Sequence, residues 1–213
     1  MRQRAATLVE LAVVLGLVGL LALAVPSAVF QGVRAFVFLP KAQVTSQVAM
    51  EALHAMVEGS HSEGLGRTVR GLRHATSEVP PPLSPPGAIW AGSASTIGFV
   101  TSDGDIVWIQ LAGGEIRRAV LSSFTCPPPG PLPEETIPYY AGGVVQVEGH
   151  GPGGALFRYF DVNGTELTFP VLCSSHAAVR RIEIELAART GGGSFDQGDA
   201  RVEVTSSVAV RFP

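Results

Sequence analysis

The stretch RQRAATLVELAVVLGLVGLLALAVPSAVFQGVR, residues 2–34, decides the architecture. Residues 11–33 carry no charge, and as a helix rising about 1.5 Å per residue they are long enough to cross the roughly 30 Å of hydrocarbon in a bilayer. Arg2 and Arg4 precede the run. Basic residues tend to remain on the cytoplasmic side, so everything after Arg34 is expected outside. Glu10 stands at the mouth of the apolar run, where an unpaired carboxylate costs on the order of 2–3 kcal/mol or is neutralised. Glu10 therefore needs a partner.

Outward from that stretch, the chain has 213 residues, 46% hydrophobic and 15% charged, and a formal charge of -3. That is enough to bury one globular head beside the extra element. Lys and Arg are scattered without the basic stripe that phosphate backbones require, which disfavours a nucleic-acid enzyme. The only two cysteines, Cys126 and Cys173, fall in the part expected to be exported. One disulfide between them is predicted, and it would restrict the unfolded chain by about 4 kcal/mol on a loop-entropy argument. Two separate buried thiols are the other reading, since neither cysteine has metal-type C-x-x-C spacing.

The opening residues resemble the class III signal of type IV pilins and pseudopilins: a basic leader, Met1-Arg2-Gln3-Arg4-Ala5, then Ala6-Thr7-Leu8-Val9-Glu10-Leu11 running into apolar sequence. The resemblance covers about thirty residues. It implies a cut by prepilin peptidase between Ala5 and Ala6, N-methylation of the new terminus and retention of the apolar helix. Thr7, Leu8 and Glu10 then belong to the assembly end. Glu10 would pair with the Ala6 ammonium of a neighbouring subunit and reward one axial stagger, because any other leaves two unpaired charges in an apolar bundle. Ala5 stands where the family usually has Gly and Ala6 where Phe is common, which implies slower cleavage. Two other readings stay open. A secretory signal would end at Ala22-Leu23-Ala24 and release a soluble protein, and a plain single-span anchor would leave Glu10 at the interface.

Helical spacing continues beyond the span, with Val37, Val44, Val48, Ala52 and Met56 on one stripe, so residues 34–79 are predicted as an amphipathic helical stem. Pro26 and Pro40 are expected to kink it or open backbone bonds. Residues 59–66 read as a break. A second short helix is expected through Leu65, Val69, Leu72 and Thr76, with Arg67, Arg70 and Arg73 either lining a contact strip for an acidic partner or facing solvent. The proline cluster at 80–86 ends regular structure. Short strands are predicted at 88–91, 96–101, 105–111 and 115–121, with turns at Ser102-Asp103-Gly104 and Gly113-Gly114. After a proline-rich loop at 127–138, more strands are expected at 143–148, 155–160, 166–169, 179–187 and 201–212.

The fold class is thus α+β: a leader at 1–5, a transmembrane and assembly helix at 6–33, the stem, and a β-rich antiparallel head at 88–213. Ile97-Gly98-Phe99, Glu115-Ile116-Arg117-Arg118 and Leu156-Phe157-Arg158-Tyr159-Phe160-Asp161 before Asn163-Gly164 resemble the J- and W-class minor pilins and pseudopilins. That likeness implies a tip-located subunit of a type IV pilus or type II secretion filament. Its partners would be other major and minor pilins or pseudopilins, prepilin peptidase, the inner-membrane assembly platform, and membrane lipid before assembly. The head would be periplasmic. Motility, DNA uptake and protein secretion all fit such a filament, and no residue selects a DNA or secreted-substrate partner. The rival function is a secreted or anchored binding protein, an adhesin or ligand receptor.

Catalytic and metal motifs are missing. His54, His61, His74, His150 and His176 lie far apart without ligand spacing, and no G-x-S-x-G or Walker loop occurs, so no enzyme activity and no cofactor are expected. Asp161, Asn163 and Glu166 supply hard oxygen ligands for calcium, but the same residues suit a metal-free hairpin turn. Trp90, Tyr139 and Tyr140 are candidates for a binding patch or for the core.

Overall fold

The computed structural model describes residues 7–76, 89–121, 135–136, 145–168, 178–190 and 200–210. A single helix, α1 (Leu8–Val57), opens the fold. It stays helical through Pro26 and Pro40, although a proline removes one backbone donor and crowds the carbonyl four residues earlier.

Only the second half of α1 touches the head. Thr45, Val48, Ala49, Ala52, Ala55, Met56 and Val57 are buried, while Gln43, Val44, Gln47, Met50 and His54 face outward. Of the expected stripe, Val48, Ala52 and Met56 are in the core and Val44 is exposed; the Val37 side chain lies outside the described residues. Thr45 tolerates burial because its Oγ1 donates to the Lys41 carbonyl at 2.7 Å, an i−4 back-bond that satisfies the hydroxyl.

The helix ends earlier than the stem predicted over 34–79, and the second helix does not form. Glu58 caps α1, and the chain then makes an antiparallel hairpin, β1 (Gly59–Ser62) and β2 (Arg67–Arg70), and a single 3-10 turn at Leu72–His74. The reason is glycine. Gly59 adopts φ +106°, and a Cβ on Gly71 would sit 2.6 Å from Gly59 N and Met56 O, so the hairpin base packs backbone to backbone on the end of α1. The spacing of Leu65, Val69 and Leu72 looks helical, yet four glycines between 59 and 71 each cost about 1 kcal/mol in a helix interior.

Two larger sheets complete the head. The first is a meander of β3 (Ile89–Gly92), β4 (Thr96–Val100), β5 (Ile106–Ala112), β6 (Glu115–Leu121) and the two-residue β7 (Glu135–Thr136), in that order. Gly104, Gly113 and Gly114 have positive φ at its turns, as the Asp-Gly and Gly-Gly pairs require. In the second, β10 (Arg181–Thr190) pairs along its length with β11 (Arg201–Ala209) on one side, and with β9 (Phe157–Phe160) then β8 (Val145–Gly149) on the other. Of the strand expected at 166–169, the described residues 166–168 form only a single bridge, between Glu166 and Phe160.

α1 packs on β8, β10 and β11 of the second sheet and on β1. Its buried residues share one apolar core with Ile182, Ile184, Leu186 and Ala188 of β10, and with Ile97, Phe99, Val107, Ile109 and Ile116 of the meander. The sheets are stitched at their turns. Tyr159 is fully buried and its hydroxyl donates to the Thr96 carbonyl at 2.9 Å, while Leu156 N donates to Ala94 O at 2.7 Å. Burial pushes the Tyr159 phenol well above its ordinary range, so it serves as a neutral donor.

Candidate functional site

Residues Val9–Val33 of α1 form one span long and apolar enough to cross a membrane, with mean hydropathy 2.5 and none of it buried against the head. Leu11, Val13, Val14, Leu15, Leu17, Val18, Leu20 and Leu21 are all exposed, and they fall on every side of the cylinder. A helix apolar all round is stable only where something other than water surrounds it.

The start of the span is built by Thr7 and Glu10. Thr7 adopts an extended N-cap conformation; its Oγ1 accepts from Glu10 N at 3.3 Å, and Thr7 N donates to Glu10 Oε2 at 2.9 Å. This reciprocal arrangement satisfies two orphan amides of the first turn. It also gives Glu10 a partner within its own chain. The T-x-x-E spacing is the sequence signature of that cap. Ala5 and Ala6, and the Leu8 side chain, lie outside the described residues, as do Cys126 and Cys173.

In the head, the candidate calcium ligands are committed separately. Asp161 Oδ1 accepts from Asn163 N and Thr165 N, both at 2.8 Å; the Thr165 amide is the larger influence holding the Asp161 carboxyl below its usual range. Asn163 supplies the other of these two amides, in a tight turn completed by Gly164 at φ +79°. Glu166 instead meets Arg158, whose Nε and Nη2 donate to it at 3.0 and 2.7 Å. The Arg158 hydrogen bond keeps the Glu166 carboxyl low, and Glu166 and Glu185 together raise Arg158. Arg158 also reaches Glu185 at 2.8 Å and Glu183 at 3.3 Å, and stacks over Phe160. Among the described residues no group of three or more His, Cys, Asp or Glu is placed to hold a metal.

Arg67, Arg70 and Arg73, read either as a contact strip or as a solvent-facing row, stay partly exposed but are engaged within the chain. Arg67 grips Asp105 with two hydrogen bonds of 2.6 and 2.5 Å, Arg70 meets Asp103 at 2.6 Å, and Arg73 pairs with Glu58. They fasten the hairpin to the β4–β5 turn and to the end of α1. Beneath them Arg118, only 2% exposed, donates to Ser60 Oγ at 2.9 Å and to the Ser60 and His61 carbonyls at 3.3 Å. A buried guanidinium needs such acceptors. The sequence offers no signal for it, because the contact spans 58 positions.

His150 joins Glu203 and Arg201 on the outer face of the second sheet, His74 lies 3.4 Å from Arg70, His54 and His61 are exposed, and His176 is outside the described residues. Tyr139, Tyr140 and the Trp90 side chain are also outside them. Comparison with protein-family models and with curated proteins finds no match for this chain.

Proposed function

We propose that this chain is a minor pilin or pseudopilin, a structural subunit of a type IV pilus or type II secretion filament. One observation carries the reading: a continuous helix whose second half is seated on the head and whose first half is apolar on every side and touches nothing in the head. Lipid of the inner membrane would cover that half before assembly, with the head in the periplasm, and neighbouring helices would cover it afterwards. Prepilin peptidase would cut between Ala5 and Ala6, and the new terminus would be N-methylated.

Glu10 fits two duties in this scheme. Its carboxylate has about four lone-pair sites, so accepting from Thr7 N leaves capacity for the Ala6 ammonium of a neighbouring subunit. Removing the side chain would strip both the cap and the pairing. Glu10→Ala is expected to leave the head folded but to enter sheared filaments at least about tenfold less efficiently than wild type, a difference of roughly 1.4 kcal/mol or more. Equal incorporation would defeat the role given to Glu10. The work of this protein is then structural and interactive, near the initiating tip, and not catalytic.

A further inference from the structure

We propose that the outer edge of β11 is a docking site for an extended segment of another polypeptide, which adds to the second sheet as one more strand. The parity of the edge follows from two hydrogen bonds. Val210 N donates to Arg180 O and Thr190 N to Ala200 O, so the even-numbered residues of β11 bond to β10. In an antiparallel ladder the intervening residues then turn their amides and carbonyls the other way. Those of Arg201, Glu203, Thr205, Ser207 and Ala209 therefore point away from the sheet.

Among the described residues no strand pairs with this edge. β11 pairs with β10 in unbroken register over all nine residues, and it contains no proline, lysine or bulge, the devices that normally blunt an edge. Its two charges, Arg201 and Glu203, sit at one end and pair with each other and with Glu148 and His150. Residues 204–209 are uncharged. The other side of the same sheet is closed: Leu167 N donates to Tyr159 O and Asp161 N to Thr165 O along β9, and Val147 N donates to Gly114 O, tying β8 to the meander.

The chemistry of the partner follows. Donors and acceptors alternating along a straight edge are matched by another strand about 4.8 Å away. Val202 and Val204 lie only partly buried beside α1, so the incoming strand should be apolar at alternate positions on that face and polar on the other. This site stands whether or not α1 packs in a filament.

The test uses the full-length chain in detergent micelles and a fluorescein-labelled synthetic peptide, RIEIELAART, which copies β10 and carries the required alternation. Fluorescence anisotropy should show saturable binding. Thr205→Pro should weaken it about tenfold or more without lowering the thermal midpoint, since the Thr205 amide faces outward and proline is tolerated on such an edge. A peptide N-methylated at the positions copying Glu183, Glu185 and Ala187 should lose binding to the unaltered chain to the same degree. No saturable binding by wild type, or undiminished binding of the N-methylated peptide, would overturn the proposal.

Discussion

The two halves of α1 differ in pattern and in what surrounds them: residues 9–33 are apolar on every side and touch nothing in the head, while the second half turns an apolar stripe to the core and Gln43, Gln47 and His54 outward. Leu15 and Met56 are both large and hydrophobic, yet Leu15 is exposed and Met56 is completely buried. The second half belongs to the head, where its residues meet β10 and β11. The first half, Val9–Val33, is not buried against the head at all. Hydrophobicity alone therefore says that a helix will be covered, and only the packing says by what.

Paired truncations sharpen that contrast most. Met56→Ala is expected to cost the head roughly 2–5 kcal/mol through lost transfer energy and a residual cavity, whereas Leu15→Ala should leave head stability unchanged within about 0.5 kcal/mol. Denaturant unfolding of the full chain in micelles, followed by near-ultraviolet circular dichroism, measures both. A large effect of Leu15→Ala would mean that the outer half is also part of the folded head.

A smaller effect is expected where the inner half ends. Gly71→Ala places a Cβ 2.6 Å from Gly59 N, Met56 O and Val57 C, all backbone atoms that cannot step aside, and should cost roughly 2–3 kcal/mol. Accelerated amide exchange confined to β1, β2 and the last turn of α1 would locate the damage.

The smallest effect lies on the polar face of the sheet that carries α1. Glu166 has its folded pKa depressed by Arg158, so its contribution is present above the unfolded value near 4.5 and is lost as pH falls through the folded value. An NMR titration should place its midpoint below that of a free glutamate, and Arg158→Gln should return it upward. An unchanged midpoint in the variant would detach Glu166 from Arg158.

The same comparison explains what was legible in the sequence. Helix α1 was readable from its unbroken apolar run and its continued spacing, and eight strands matched because alternation and Asp-Gly or Gly-Gly turns are local signals. The break at 59–66 agrees with the end of α1, but the second helix expected through residues 65–76 does not form, because Leu65, Val69 and Leu72 fall at helical intervals while the glycines that decide the hairpin act through contacts with the end of α1. The bundled roles of Arg67, Arg70 and Arg118 depend on partners 33 to 58 positions away, beyond any local pattern. Thr7 and Glu10 were a missed local signal, since their spacing already spells the cap.

The measurement that bears most directly on the central claim, a retained outer half-helix that other subunits cover, is the intact mass and terminal sequence of the mature protein from cells containing prepilin peptidase. The account expects a chain beginning at an N-methylated Ala6, with residues 6–33 present. A chain beginning at Val25 would contradict it, because the half-helix would then have been a discarded signal.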